Sequence, residues 1–140
     1  MTKPWLSIIL PSIREQQRNR FLNSLALTCT GLYEDLDIVL DDKPADCIIT
    51  AVERCYHKAK ADWLWFSNDD LISETEGWDE IFKQCTEHFT DKVAMFYPND
   101  GLFGYRFPCF PLVAKECIRG LFPSPYKRYK VDDSIRDIIP

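Results

Sequence analysis

The chain has no long hydrophobic run. Its longest apolar stretches, such as residues 5–11, are far too short to span a bilayer. Residues 1–4 lead straight into a strand-like segment, without the basic region and extended apolar stretch of a secretory signal. There is no Cys-x-x-Cys and no His-x-x-x-His pair, which argues against a structural zinc site. The six cysteines (Cys29, Cys47, Cys55, Cys85, Cys109 and Cys117) are scattered singly, several of them on apolar helix faces. Reduced, mostly buried thiols in a cytoplasmic protein are therefore expected. The segment "PSIREQQR" after the first strand-like run has no glycine, and "GLFG" at 101–104 lacks the Lys and the Ser or Thr of a phosphate loop. A nucleotidyltransferase with a Gly-rich loop and a P-loop ATPase both fit poorly. Cations are in the minority: the net charge is −5. That balance weighs against a general nucleic-acid binder, which neutralises phosphates with Lys and Arg, but allows a small anion bound through a metal ion.

What is present describes one globular domain over residues 1–140. Nearly half the chain is apolar, 14% is aromatic, and both charge signs are spread throughout. A chain of 140 residues buries roughly two thirds of its unfolded surface. "WLSIILP" reads as a buried strand stopped by Pro11, and "DLDIVL", closed by the turn residues "DDKPAD", as a second. "DWLWFS" is a third. Between them, residues 14–28 carry Phe21, Leu22 and Leu25 on one helical face, with Cys29 following on the same side, and residues 45–60 carry Ile48, Val52, Cys55, Tyr56 and Ala59 on another. Strand, helix, strand, helix, strand with short links predicts right-handed crossovers and an α/β fold, a three-layer α/β/α arrangement around a mostly parallel, Rossmann-like sheet. Residues 77–89 form a third helical pattern through Trp78, Ile81, Phe82, Cys85 and Phe89, and "KVAMFY" a fourth strand. "PNDG" is a turn signal. The apolar segment 102–113, broken by Pro108 and Pro111, suits an edge or bent strand, followed by a short helix at 114–121 and a terminal helix from Asp132. Trp63, Trp65 and Trp78 are expected in the core, and His57 and His88 at the surface.

Ligands of parallel sheets gather at the carboxyl ends of the strands, and the acidic clusters fall there. Asn68, Asp69 and Asp70 form either a side-chain-capped turn or an oxygen-donor site for Mg²⁺ or Mn²⁺ carrying a diphosphate. Asp41 and Asp42 are either turn acids or acceptors for a nucleobase N–H or a ribose hydroxyl. Asp132 and Asp133 open a helix, where the dipole favours acids, or supply a general base.

The order "LSIILPSIR", "DIVLDD", "ADWLWFSNDDL", "GWDEIF", "VDDSIRDI" resembles the nucleotide-sugar glycosyltransferases of GT-A fold, family 2 type, over essentially the whole chain. The resemblance implies that Pro11, Ser12 and Arg14 lie beside the nucleotide, that Asp41 or Asp42 holds base or ribose, and that Asn68, Asp69 and Asp70 occupy the DxD position. Asp70 would then be the main ligand of Mn²⁺ or Mg²⁺, with Asn68 replacing the usual first acid and Asp69 on the nucleotide side. Asp133, with Asp132, would match the catalytic base of inverting enzymes. Lys127, Arg128 and Lys130 either close over the phosphates or form a solvated loop. The implied partners are a nucleotide-diphosphate sugar donor and a carbohydrate or other hydroxyl acceptor. The QxxRW motif of processive synthases is missing. A noncatalytic sugar-nucleotide or carbohydrate-binding module, derived from such a transferase, is the alternative.

Overall fold

The computed structural model describes residues 3–122 apart from residues 32 and 46. It is a small α/β fold: β1 (Leu6–Pro11), α1 (Glu15–Thr28), β2 (Asp37–Asp41), α2 (Ile48–Lys58), β3 (Trp63–Phe66), α3 (Trp78–His88), β4 (Met95–Phe96) and β5 (Leu112–Ala114). The five strands form one mixed sheet in the order β2-β1-β3-β5-β4. β1 pairs in parallel with β2 and with β3, placing Pro11 beside Asp41 and Ile9 beside Phe66. β5 is antiparallel to both of its neighbours.

Every residue of β1 is buried, as expected for a central strand covered on both faces. Its side chains sort by the two-residue period of a strand. Leu6, Ile8 and Leu10 join Phe21 and Leu25 of α1, Trp63 and Trp65 of β3, and Trp78 of α3 in one core cluster. Ile9 joins Val39, Leu64 and the α2 residues Cys55 and Tyr56 in another. The three tryptophans are thus core residues, none more than 6% exposed. Trp65 meets Phe21 edge-on at 6.0 Å and packs on Trp78 at 5.6 Å. Their indole N–H groups are satisfied, Trp65 by the Phe110 carbonyl and Trp78 by that of Leu25, each at 3.0 Å, as buried indoles require.

Four expectations change. The segment with Pro108 and Pro111 does not form an edge strand: β5 sits inside the sheet between β3 and β4. It can do so because Pro111 precedes the strand and only accepts, its carbonyl taking the Phe66 N–H at 3.0 Å, so its missing donor costs no ladder bond. The edge on this side belongs instead to β4, reduced to two residues, with Met95 half exposed. The stretch after β5 is a 3₁₀ helix, Lys115–Leu121. The apolar face of α3 is only partly covered, with Ile81 50% exposed. Among the cysteines only Cys55 is buried; four are half-buried and Cys117 is exposed, although all six are free thiols. The "PNDG" turn forms as expected: Asn99 Oδ1 accepts the Gly101 N–H, Asp100 Oδ1 accepts those of Leu102 and Phe103, and Gly101 takes φ 80°. His57 and His88 are exposed. No described helix is long and apolar enough to cross a membrane.

Candidate functional site at the strand ends

Because β2, β1 and β3 run side by side in the same direction, their carboxyl ends bring residues 41–42, 11–14 and 67–70 to one border of the sheet. Ser12 is the hub. Its backbone N–H donates to the Asp41 carbonyl at 2.8 Å and its hydroxyl donates to Asp69 Oδ2 at 2.8 Å. Asp69 also receives Arg14, Nε on Oδ2 at 3.0 Å and Nη2 on Oδ1. Arg18, one helical turn on, donates to the Ser12 carbonyl at 3.2 Å. β3 is extended into this border by Ser67, whose N–H and hydroxyl both donate to the Ile9 carbonyl.

The two acid pairs each divide into a buried and an exposed member. Asp69 is 3% exposed and Asp41 2% exposed, while Asp70 and Asp42 face solvent. Burial pushes the Asp69 carboxyl up, but the Arg14 and Ser12 hydrogen bonds outweigh it and hold the group below its ordinary range. Asp41 behaves in the same way. Burial opposes its charge, and Arg54 overcomes that with a two-pronged contact, Nε on Oδ2 at 2.7 Å and Nη2 on Oδ1 at 2.9 Å, helped by the Lys43 N–H and by Lys58 at 3.7 Å. Parallel Arg–carboxylate bonds of this kind fix orientation as well as charge. Asp42 and Asp70 make no side-chain hydrogen bond or ion pair at bonding distance with another described residue. Of the four acids, they are the two whose carboxylates stay open to solvent.

Arg54, Lys58 and Arg18 were not among the residues singled out from the sequence. For Arg54 the available signal was positional: α2 begins beside the end of β2, so a basic residue in its first two turns can reach back to the strand end. Asp132, Asp133, Lys127, Arg128 and Lys130 lie outside the described residues.

The segment after Asp70 is laid along α1 and fastened to it throughout. Ser73 N–H donates to Ser24 Oγ at 2.9 Å, and the hydroxyls of Ser73 and Thr28 share a bond at 2.8 Å. Gly77 N–H donates to the Thr28 carbonyl at 2.8 Å, from a backbone at φ 74° that suits glycine. Beyond it, Asp79 accepts the N–H groups of Thr30 and Gly31 at 2.9 and 2.8 Å, and the Thr30 hydroxyl at 3.1 Å. Burial works against the Asp79 charge, but these donors prevail and bring its carboxyl down to about 2. Asp69 and Asp70 are thereby held on a segment anchored at Arg14 and again at residues 73–79.

A divalent cation can be tested against these donors. Among the described residues no group of three or more His, Cys, Asp or Glu side chains stands together as a metal cage. Asn68 Oδ1 accepts the Asp69 N–H at 2.8 Å, leaving one lone pair, and both Asp69 oxygens are engaged. Asp70 remains as a free hard oxygen donor. That set suits a cation carried in with a diphosphate, which needs only one or two carboxylates. It does not suit an ion held by the protein alone. No protein-family model matches the chain, and no curated protein matches it significantly.

Proposed function

We propose that this chain is a small metal-dependent glycosyltransferase of the GT-A type, a three-layer α/β/α domain acting in the cytoplasm on a nucleotide-diphosphate sugar. The observation that carries the reading is the meeting of Ser12, Arg14, Asp41, Asp42, Asp69 and Asp70 at the carboxyl ends of three adjacent parallel strands, the usual ligand border of such sheets. The two packed faces of β1 support the layered arrangement, and six free thiols suit a reducing compartment.

In this reading Asp42 accepts hydrogen bonds from base or ribose, while Arg54 holds Asp41, and so the end of β2, in place. Ser12 and Arg14 set the loop against which the diphosphate lies. Asp70, with help from Asn68, would hold Mg²⁺ or Mn²⁺, which would supply Lewis-acid neutralisation of the leaving diphosphate. The acceptor hydroxyl oxygen forms a bond to the anomeric carbon as the bond to the diphosphate oxygen breaks, and the diphosphate leaves with the electron pair. By the resemblance, Asp133, beside Asp132, takes the hydroxyl proton, and the anomeric centre inverts.

The test is a thermal-shift screen of UDP, GDP and their sugar conjugates with Mn²⁺, with Mg²⁺ and with chelator, on the wild type and on Asp70→Ala. Stabilisation that needs both nucleotide and metal, and is lost in the variant, is expected. A nucleotide shift that survives chelator, or an unaffected variant, would remove the reading. A noncatalytic sugar-nucleotide module would use the same border, with the arginine clamps on Asp41 and Asp69 serving as its frame. It would show the same shifts without donor hydrolysis or transfer.

A further inference from the structure

Asp69 and Asp70 are neighbours in the chain, yet the fold treats them oppositely, and Arg14 makes the difference. Asp69 is 3% exposed and takes Ser12 Oγ and Arg14 Nε on Oδ2, and Arg14 Nη2 on Oδ1. Ser12 carries no charge, so the neutralising partner of this buried carboxylate is Arg14. The arginine side chain is itself 53% exposed and forms the solvent side of the pair. Its hydrogen bonds to Asp69 raise the Arg14 pKa, and the charge of Asp70 raises it further. One guanidinium is thus counter-ion to both acids.

A guanidinium beside two carboxylates fills the electrostatic place of a metal ion. To reach an Asp69 oxygen, a divalent ion has to displace an arginine nitrogen. At Asp70 it meets the same positive charge. At a few ångströms the repulsion between ion and guanidinium is of the same order as the attraction of one carboxylate, and offsets it. A diphosphate reverses the balance, because its negative charge attracts both cations. Arg14 spends two of its five N–H donors on Asp69. Nη1 bonds no other described residue and can serve a phosphate oxygen without releasing the acid.

We propose that Arg14 is a metal-excluding residue: its guanidinium holds the place of the cation in the unliganded protein, refuses a free divalent ion, and admits one only in company with an anionic diphosphate. The inference deepens the proposed function and rests on its assignment of Asp70 as metal ligand. Its consequence is a coupling in which metal and nucleotide raise one another's affinity by the same factor, with Arg14 setting the size of that factor.

Mn²⁺ titrations of the full chain without nucleotide test it, read by the electron paramagnetic resonance signal of the free ion and by paramagnetic broadening of backbone amides. Arg14→Gln should bind Mn²⁺ about tenfold more tightly than wild type, or better, with broadening centred on residues 67–70. Adding Asp70→Ala should abolish the gain. Arg14→Lys keeps the charge and loses the fork, and should exclude the ion as wild type does; a merely structural clamp would fail in Lys and Gln alike. Equal Mn²⁺ affinity of wild type and Arg14→Gln, or Lys behaving as Gln, would overturn the proposal. So would a wild type that captures Mn²⁺ at residues 67–70 as tightly alone as with UDP, a measurement that needs no variant to fold. If the thermal shift that requires both UDP and Mn²⁺ is present in wild type, the donor reading survives such a failure; if that shift is missing too, both fall together.

Discussion

Arg14 grips Asp69 through both Nε and Nη2, one nitrogen on each carboxylate oxygen, and so ties the residue that opens α1 to the loop that leaves β3. The contact joins two pieces of chain 55 residues apart. It also decides the state of a buried acid, because burial alone would drive Asp69 toward its neutral form.

Replacing Arg14 by Ala should therefore raise the Asp69 pKa, leaving Ser12 as its remaining side-chain donor. Carboxyl-detected NMR titration reads this directly, and an unmoved Asp69 would show that Ser12 suffices. Thermal melting should fall by a few degrees at pH 7. Metal-dependent nucleotide binding should weaken as well, since the loop bearing Asp70 loses one of its two anchors.

Arg54→Ala leaves Asp41 charged and enclosed with only the Lys43 N–H and Lys58 nearby. The expected loss is about 3 kcal/mol in urea unfolding, typical of removing one partner from a buried ion pair. Arg54→Lys keeps the charge but not the fork, and should recover less than half of that. Full recovery by Lys would mean that charge, and not geometry, holds the end of β2.

Acid lability follows from three carboxylates whose folded pKa values lie below their unfolded ones: Asp41, Asp69 and Asp79. Each contributes stability that is fully present above its unfolded pKa and is lost as pH falls through the folded value. For Asp79, moving from 3.8 to about 2, this amounts to roughly 2 kcal/mol. Unfolding free energy should be level near neutrality and drop between about pH 5 and pH 2. In Asp79→Asn the protein should be less stable at pH 7, and its decline on acidification shallower. An equally steep decline would place the acid sensitivity elsewhere.

Asp41 and Asp42 should separate cleanly on mutation. Asp42→Ala, at an exposed position, should change stability by no more than about 0.5 kcal/mol while weakening nucleotide binding about tenfold, the worth of one charge-assisted hydrogen bond. Asp41→Ala should instead lower stability by removing both of Arg54's contacts with the Asp41 carboxylate. Calorimetric titration with UDP and Mn²⁺ beside urea unfolding distinguishes them, and a stability loss from Asp42→Ala would reverse the assignment.

Much of the architecture was legible in the residue pattern. The continuous apolar runs of β1 and β3 mark strands covered on both faces, the 3.6-residue spacing of Phe21 and Leu25 marks the inner side of α1, and "PNDG" carries its turn in its own side chains. These are local properties, set by backbone geometry and by the periodicity of burial. The grouping of acids at strand ends was likewise readable, because short links between alternating strands and helices force parallel neighbours.

What remained hidden depends on partners distant in sequence. The neighbour of β3 could not be read from its own residues, since β5 enters the sheet antiparallel through three residues preceded by a proline. Nor could the sequence separate Asp41 from Asp42, or Asp69 from Asp70: adjacent acids look alike until the fold at a strand end turns one inward to an arginine and leaves the other in water. Composition and spacing determined the elements and the border where polar chemistry collects. Tertiary structure alone decided which charges are spent inside the fold and which stay available, because a long-range ion pair exists only once both of its halves have been placed.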